Sequence, residues 1–172
     1  MTDTTTPFPG YYMTISGQLI RQPKHFFEQF RDSGASPRQA GIFLVMSGLL
    51  FVAATILVLR PARPVPVASV LFANAVGMAL FSGLAGYIVM GMTLGRRVSL
   101  ARLLSVYAFA FGVTLLFAWI PYSIWLIEPW KWWLVFTGLT LGCGFRTWEA
   151  LLVMVLSVAV IIGFFYSLMA VL

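Results

Sequence analysis

The chain carries very little charge. Only 9% of its 172 residues are Asp, Glu, Lys or Arg, whereas 60% are hydrophobic and the mean hydropathy is +0.94. Soluble domains contain about 25% charged residues and roughly 45–50% apolar ones, so this composition excludes an ordinary soluble domain. It indicates an integral membrane protein whose length suits one compact bundle and no second domain.

The residues that usually bind metals or perform catalysis are equally scarce. The sequence has one cysteine, Cys143, one histidine, His25, and five carboxylates. These do not form the clusters that hold zinc, haem or an iron–sulfur centre, and no Gly-Lys-Ser/Thr loop is present to bind phosphates. We therefore predict no cofactor, no metal site and no catalytic residue. Cys143 is expected to be a small buried apolar side chain.

The basic residues outnumber the acidic ones, and their placement favours a membrane protein over a nucleic-acid-binding one. The net charge is +6 and the pI is about 10.0. The Lys and Arg residues lie at the ends of apolar runs, without a basic stripe interleaved with base-stacking aromatics. Since basic residues that flank apolar runs are the ordinary signal of membrane topology, no nucleic-acid partner is predicted.

The apolar runs predict an all-α fold, namely a polytopic membrane bundle of five transmembrane helices within residues 36–172. About 20 apolar residues cross the hydrocarbon core of a bilayer, and 21 uncharged residues separate Arg38 from Arg60 in the first run. The predicted spans lie at about 37–60, 69–94, 100–120, 130–147 and 148–171.

The fourth run is short for a span. Only 14 residues separate Lys131 from Arg146, which is about 21 Å of helix against a core of roughly 30 Å. The run crosses the membrane if both long side chains extend outward to the interface. A re-entrant hairpin is the alternative, and it would return the C-terminus to the side of the N-terminus.

Prolines and hydroxyl residues mark where these helices begin and end. Ser36 followed by Pro37 is typical of a helix start, and Ser99 is a candidate cap for the third span. The proline-rich linker at residues 60–66 is expected to end the first helix and turn the chain before the second span. Pro121 is expected to end or kink the third span.

Residues 1–35 are predicted to form a cytosolic arm and an amphipathic juxtamembrane helix. Residues 1–12 read as a flexible arm, and the helical spacing of residues 13–32 is divided by Pro23 into two short helices. Phe26, Phe27 and Phe30 share one face of the second helix and its charged residues lie opposite. This pattern favours a helix in the membrane interface, and packing of the aromatic face onto the bundle or a partner is the alternative.

Small residues recur along the second span and predict a helix-packing or partner interface. Pairs spaced four apart allow a neighbouring backbone to approach closely in lipid. The residues of this face are Ala73, Asn74, Gly77, Ala79, Ser82, Gly83 and Gly86. Asn74, with its hydrogen-bonding amide, is expected to face another helix, and a substrate site is the alternative.

Aromatic residues cluster where the third span ends and the fourth begins. They are Trp119, Tyr122, Trp125, Trp130, Trp132 and Trp133. Such a belt is typical of a membrane–water interface, and an aromatic ligand cage is the alternative.

The distribution of basic residues predicts a cytosolic N-terminus and a C-terminus on the opposite side. With five spans, eight of the eleven basic residues lie inside and three lie outside. The outside residues are Arg60, Arg63 and Lys131. A re-entrant fourth run changes the count to seven against four, which disfavours that alternative only weakly.

Three passages resemble the Yip-domain family, the Ypt/Rab-interacting proteins, in its bacterial type. They are Arg-Gln-Pro-Lys-His-Phe-Phe at residues 21–27, the proline Pro121 that ends the third span, and Trp-Leu-Val-Phe-Thr-Gly-Leu at residues 133–139 followed by Ala150. The resemblance covers residues 19–172. It implies a five-span domain with a cytosolic N-terminus, in the bacterial inner membrane. Eukaryotic members act in vesicle trafficking and bind prenylated small GTPases, a role that the short arm of this chain does not support.

Three functions are compatible with these features. The first is a non-catalytic scaffold or accessory subunit that binds membrane lipid and other membrane-protein subunits, or a second copy of itself. The second is a small transporter, channel or lipid-handling protein, in which Asn74, Thr114, Thr137, Thr140 and Ser157 line a polar path. The third is a membrane-shaping or trafficking-type protein that inserts its phenylalanines into one leaflet.

Overall fold

A computed structural model describes residues 8–33, 36–95 and 98–171 as helices joined by short turns. The basic pair Arg96–Arg97 and most of the expected flexible arm lie outside the described residues. The helices are α1 (Phe8–Arg21), α2 (Pro23–Ser33), α3 (Pro37–Leu59), α4 (Pro64–Thr93), α5 (Leu100–Ala118), α6 (Ile124–Thr137) and α7 (Thr147–Val171), with a π-helical turn (Gly138–Gly142) after α6.

Four of these helices are long and apolar enough to cross a membrane. They are α3, α4, α5 and residues 147–164 of α7. The all-helical fold and the membrane character of the chain are thus as expected. A fifth span is not among them, because the helix in that region, α6, has only 14 residues before the π-helical turn begins.

The fourth apolar run begins earlier than the sequence predicted. The prediction placed a helix at about 130–147, whereas α6 starts at Ile124 and the last helix starts at Thr147. Pro129 lies inside α6 without ending it. A proline removes one backbone hydrogen bond, and the earlier backbone bonds from Leu126 and Ile127 to the carbonyl of Ser123 already hold the first turn.

Prolines mark several helix boundaries. Pro23 opens α2 and Pro37 opens α3, as expected, and α5 ends three residues before Pro121. The proline-rich linker ends α3 and turns the chain, as predicted, but it is shorter than expected, because α4 begins at Pro64 and includes Pro66. Both prolines lie in the first turn, where backbone N–H groups have no partner within the helix, so a missing N–H costs little.

The serine caps differ from each other. The Ser99 side chain accepts a hydrogen bond from the backbone N–H of Arg102 at 3.3 Å, which confirms the expected cap of α5. Ser36 precedes α3 without a side-chain cap, although its carbonyl accepts from the backbone N–H of Gln39. At the start of α7, the Glu149 carboxylate accepts from the backbone N–H of Arg146 at 2.9 Å, which is half of a capping box.

The helix α5 lies at the centre of the bundle. Its apolar stretch is 61% buried, against 17–33% for the other three candidate spans. It packs against α3, α4 and α6, and α1 also reaches it. The core of the protein is therefore organised around α5.

The N-terminal helices are part of the bundle. α1 begins at Phe8, within the stretch expected to be a flexible arm. Its Tyr12 packs on Phe43 of α3 at 5.1 Å between ring centroids and hydrogen-bonds the Ser47 hydroxyl at 2.9 Å. Ile15 and Leu19 of α1 are buried as well. α1 and α2, joined through Gln22, thus pack onto α3, α5 and the π-helical turn.

Candidate partner interface

The three phenylalanines of α2 lie in the protein core. Phe26 and Phe30 meet Phe109 of α5 edge-on at 5.0 and 6.0 Å, and Phe27 is fully buried. The prediction that this face lies in the membrane interface was therefore wrong. The structure shows the alternative, in which the face packs onto the bundle. Helical spacing marks a face that must be covered, but edge-to-face contacts with other aromatic rings cover it as well as lipid does.

Two glycines of the π-helical turn provide the surface on which Phe27 lies. A Cβ atom on Gly138 would collide with Val106 and would lie 2.9 Å from the Phe27 ring. A Cβ on Gly142 would lie 3.3 Å from the Phe30 ring. The turn is closed by a hydrogen bond from the backbone N–H of Cys143 to the carbonyl of Gly138 at 3.1 Å. The glycines thus allow α2 to approach the turn closely.

The small-residue face of α4 divides into two halves. One half is buried against α5 and consists of Ala79, Ser82, Gly83 and Gly86. A Cβ on Gly83 would lie 2.8 Å from the Leu104 side chain, and a Cβ on Gly86 would lie 2.8 Å from the Tyr107 hydroxyl oxygen. This half is a helix-packing surface within the chain.

The other half of the face lies on the outside of the protein. Ala73, Asn74 and Gly77 are exposed, and a Cβ on Gly77 would meet no atom within 4 Å. Asn74 is ten residues, or about 15 Å along the helix, from Pro64, the first of the 30 residues of α4, so it lies away from both ends of a helix that is long enough to cross a membrane. Asn74 is exposed and does not face into the bundle. Gly77, three residues further along, leaves open space beside it.

The predicted aromatic belt is mostly exposed. Tyr122 and Trp125 project from the protein, Trp119 and Trp133 are about 40% exposed, and Trp130 and Trp132 are partly buried. The indole N–H of Trp119 donates to the carbonyl of Leu116 at 2.8 Å. Trp119 and Tyr122 line one cleft together, and the four tryptophans of α6 are not among its lining residues. The location of the belt at a membrane interface stays a prediction.

Glu128 and Lys131, which lie among the aromatic residues of this belt, form an ion pair that was not predicted from the sequence. The Lys131 ammonium lies 2.6 Å from a Glu128 carboxylate oxygen and 4.8 Å from the centroid of the Phe111 ring. The Lys131 side chain is only 13% exposed, so it does not extend outward as its role at a span end would require. The three-residue spacing of the two charges was the available signal, but it does not tell which way the lysine points.

Hydroxyl groups inside the helices are bonded to their own backbones. Thr114 donates to the carbonyl of Phe111 at 2.8 Å, Thr137 to that of Trp133 at 2.8 Å, and Ser157 to that of Met154 at 2.9 Å. Such bonds satisfy a hydroxyl without any ligand. In the part of the chain that the structure describes, no group of three or more His, Cys, Asp or Glu residues could hold a metal ion.

Comparison with known proteins adds one finding to this geometry. A model of the Yip1 domain matches residues 17–169, which include α2, the bundle and most of α7. No curated protein and no solved structure matches the chain.

Proposed function

The chain belongs to the Yip1 domain family, and from this premise we propose that it is a non-catalytic scaffold or accessory subunit of a larger membrane complex. The exposed half of the small-residue face on α4, made of Ala73, Asn74 and Gly77, is the surface that binds the partner. The observation that carries this proposal is the exposure of Asn74 well inside a helix that is long enough to cross a membrane, a position that we place at the depth of the hydrocarbon core.

An amide at that depth needs a hydrogen-bonding partner. Hydrocarbon offers no donor or acceptor, so an exposed amide there is unfavourable, and a second helix relieves it. Measured interhelical hydrogen bonds of this kind contribute about 0.6–2 kcal/mol. Ala73 and Gly77 flank Asn74 with little side-chain volume, so the partner's backbone can approach closely enough to form that bond.

Close packing at small residues already occurs on the other side of α4. There the small residues admit Leu104 and Tyr107 of α5 to the helix backbone. Membrane helices associate through such close approach because lipid provides no hydrophobic driving force between them. The exposed half therefore offers a partner the same kind of contact that α5 makes with the buried half.

Five spans with a cytosolic N-terminus are the topology that we attach to this function. The 14 residues of α6 and the five of the π-helical turn extend to at most about 28 Å, which approaches the roughly 30 Å of the core. The longer fourth segment supports a crossing without any outward extension of Lys131. The excess of basic residues on the N-terminal side supports the orientation.

The two alternative functions draw less support from the contacts. A polar path would require free hydroxyls, whereas those of Thr114, Thr137 and Ser157 are bonded to their own helices. Insertion of α2 into one leaflet would require an available aromatic face, whereas Phe26, Phe27 and Phe30 are buried. A scaffold role needs only the exposed face of α4.

The proposal is tested by purifying the full chain from native membranes in mild detergent and quantifying the proteins that accompany it. Asn74→Leu and Gly77→Leu are compared with Gly41→Leu on α3 and Gly163→Leu on α7, two glycines that also have open space around them. We expect a stoichiometric partner with the natural chain and with both controls. Asn74→Leu removes one interhelical hydrogen bond, worth about 1 kcal/mol. The affinity for the partner, and with it the amount of partner that co-purifies, should therefore fall about fivefold.

Two results would contradict the proposal. One is equal recovery of the same partner with all four variants, which would place the interface elsewhere. The other is a chain that purifies alone as a monomer. If the partner proves to be a second copy, the complex is a homo-oligomer and the scaffold assembles on itself.

A further inference from the structure

A cleft at the far end of α3 and α5 has features of a lipid site. It has a volume of about 320 Å³ and is open to the outside. Its walls are mainly apolar and come from the last turns of α3 and from the turn that joins α5 to α6. They include Phe51, Val58, Ala118 and Ile124, with Thr55 and Tyr122 as polar lining residues. A groove of this size, at the lower end of about 300–1,000 Å³ for small-molecule sites, suits one flexible apolar chain.

Two arginines follow the cleft wall along the chain. Leu59 lines the cleft, and Arg60, the next residue, ends α3. Arg63, the residue before α4, follows three positions later. Both arginines are exposed, and neither makes an ion pair with any residue in the described ranges. Two positive charges without an acidic partner therefore lie within a few residues of the cleft wall.

Tyr122, which lines the cleft, has a left-handed backbone conformation with φ 64°. Such a conformation is uncommon for a residue with a side chain and can mark a place where a ligand is held. Arg60 also has a positive φ, but there it forms the C-cap of α3, with its backbone N–H bonded to the Ile56 carbonyl. The Tyr122 ring is 89% exposed, so its hydroxyl is available to a polar group outside the bundle.

We infer that this cleft binds one anionic phospholipid from the adjacent leaflet. An acyl chain lies along Phe51, Val58 and Ile124, and the phosphate is bound by Arg60 and Arg63 with the Tyr122 hydroxyl as a hydrogen-bond donor. A guanidinium matches a phosphate both in charge and in the arrangement of its donors. A zwitterionic lipid has the same chains but carries a cationic group beside the phosphate, which weakens its attraction to the two arginines.

The test is native mass spectrometry of the full chain in mild detergent, titrated with phosphatidylglycerol or with phosphatidylcholine of identical acyl chains. The natural chain should retain one phosphatidylglycerol more tightly than any phosphatidylcholine. Arg60→Gln and Arg63→Gln should each weaken the retained phosphatidylglycerol about fivefold. Arg38→Gln, at the opposite end of α3, is the matched control and should leave binding unchanged.

Filling the cleft separates chain binding from simple charge attraction. Ala118→Trp places a large ring in the groove, and Leu57→Trp places the same ring on an exposed position of α3 outside it. Ala118→Trp should displace the bound lipid, and Leu57→Trp should not. Equal melting temperatures of the two variants are expected and would show that the difference in binding does not come from unfolding. Unchanged phosphatidylglycerol binding in Arg60→Gln and Ala118→Trp, equal retention of both lipids, or equal effects of the two tryptophans would each overturn the inference.

Discussion

A Cβ atom on Gly86 would lie 2.8 Å from the hydroxyl oxygen of Tyr107, so the spacing of α4 and α5 depends on a missing side chain. Tyr107 is fully buried, and its hydroxyl has no hydrogen-bond partner among the described residues. The ring is therefore held by packing between helices and cannot move aside cheaply.

We expect Gly86→Ala to destabilise the bundle by about 1–3 kcal/mol, because an added methyl group overpacks this contact. Gly77→Ala on the same helix has open space and serves as the control. Removing the hydroxyl in the double variant Gly86→Ala, Tyr107→Phe should restore most of the loss. Thermal unfolding in detergent provides the measurement. Equal melting temperatures for Gly86→Ala and Gly77→Ala would show that α4 and α5 do not pack as closely as described.

Gly138→Ala should loosen α2 from the bundle. The new methyl group would collide with Val106 and press on the Phe27 ring, for which a Cβ lies at 2.9 Å. If this weakens the attachment of α2 by about 1–3 kcal/mol, the fraction of molecules in which α2 has detached rises about fivefold or more. The rate of proteolytic cleavage in α2 rises by the same factor when cleavage requires detachment. Trypsin reports this directly, since Lys24 and Arg31 of α2 are exposed.

Gly41→Ala is the control for that experiment, because nothing lies within 4 Å of the added atom. Its rate of tryptic cleavage in α2 should match that of the natural chain. If Gly138→Ala is cleaved no faster than Gly41→Ala, α2 is not held by the π-helical turn.

Replacing Glu128 should be more harmful than replacing Lys131. In Glu128→Gln the ammonium of Lys131, whose side chain is 13% exposed, loses the carboxylate 2.6 Å away, whereas Lys131→Met removes the buried charge itself. Since Glu128 is 45% exposed, the effect should fall between surface and buried pairs, at about 1–2 kcal/mol. Melting temperatures of the two single variants and the double variant form a cycle, and the double variant should resemble Lys131→Met. The reverse order of the single variants would contradict the burial of the lysine.

Tyr12→Phe should weaken the attachment of α1 to α3 by about 1 kcal/mol, the usual net value of one hydrogen bond. It removes the bond to the Ser47 hydroxyl and leaves the ring contact with Phe43 in place. Tyr11→Phe is the neighbouring control. Hydrogen exchange of the α1 backbone measures the attachment, and equal exchange in both variants would argue against the bond.

Alkaline pH should weaken the same attachment. Burial raises the pKa of Tyr12, and the hydrogen bonds to Ser47 and Ser16 offset only part of that effect. Because the pKa is higher in the attached helix than in a free tyrosine, about 10, attachment is fully stabilised below that value and is lost as the pH rises through the raised one. A phenolate absorbance titration of the natural chain against Tyr12→Phe isolates this group. A difference titration centred at or below the free value would contradict the burial.

Much of the fold was predictable because its causes are local. An apolar run that excludes charge predicts a membrane helix whatever surrounds it, and α3, α5 and α7 follow their runs closely. Proline acts on its own turn, which is why Pro23 and Pro37 mark helix starts correctly. Pro66 was expected to lie before the second span but lies in the first turn of α4, since the effect of a proline depends on its position within a helix that has yet to be placed.

The interfaces were decided by the tertiary structure, because a periodic pattern shows that a face is special but does not identify what covers it. Phe27 and an interfacial phenylalanine have the same helical spacing, yet Gly138 and Gly142 of the π-helical turn leave the room that Phe27 occupies in the core. Gly77 and Gly86 belong to one stripe of small residues, and only the position of α5 makes one exposed and the other buried. Composition and local sterics determined the helices, and the contacts between distant helices determined which of their faces remain open.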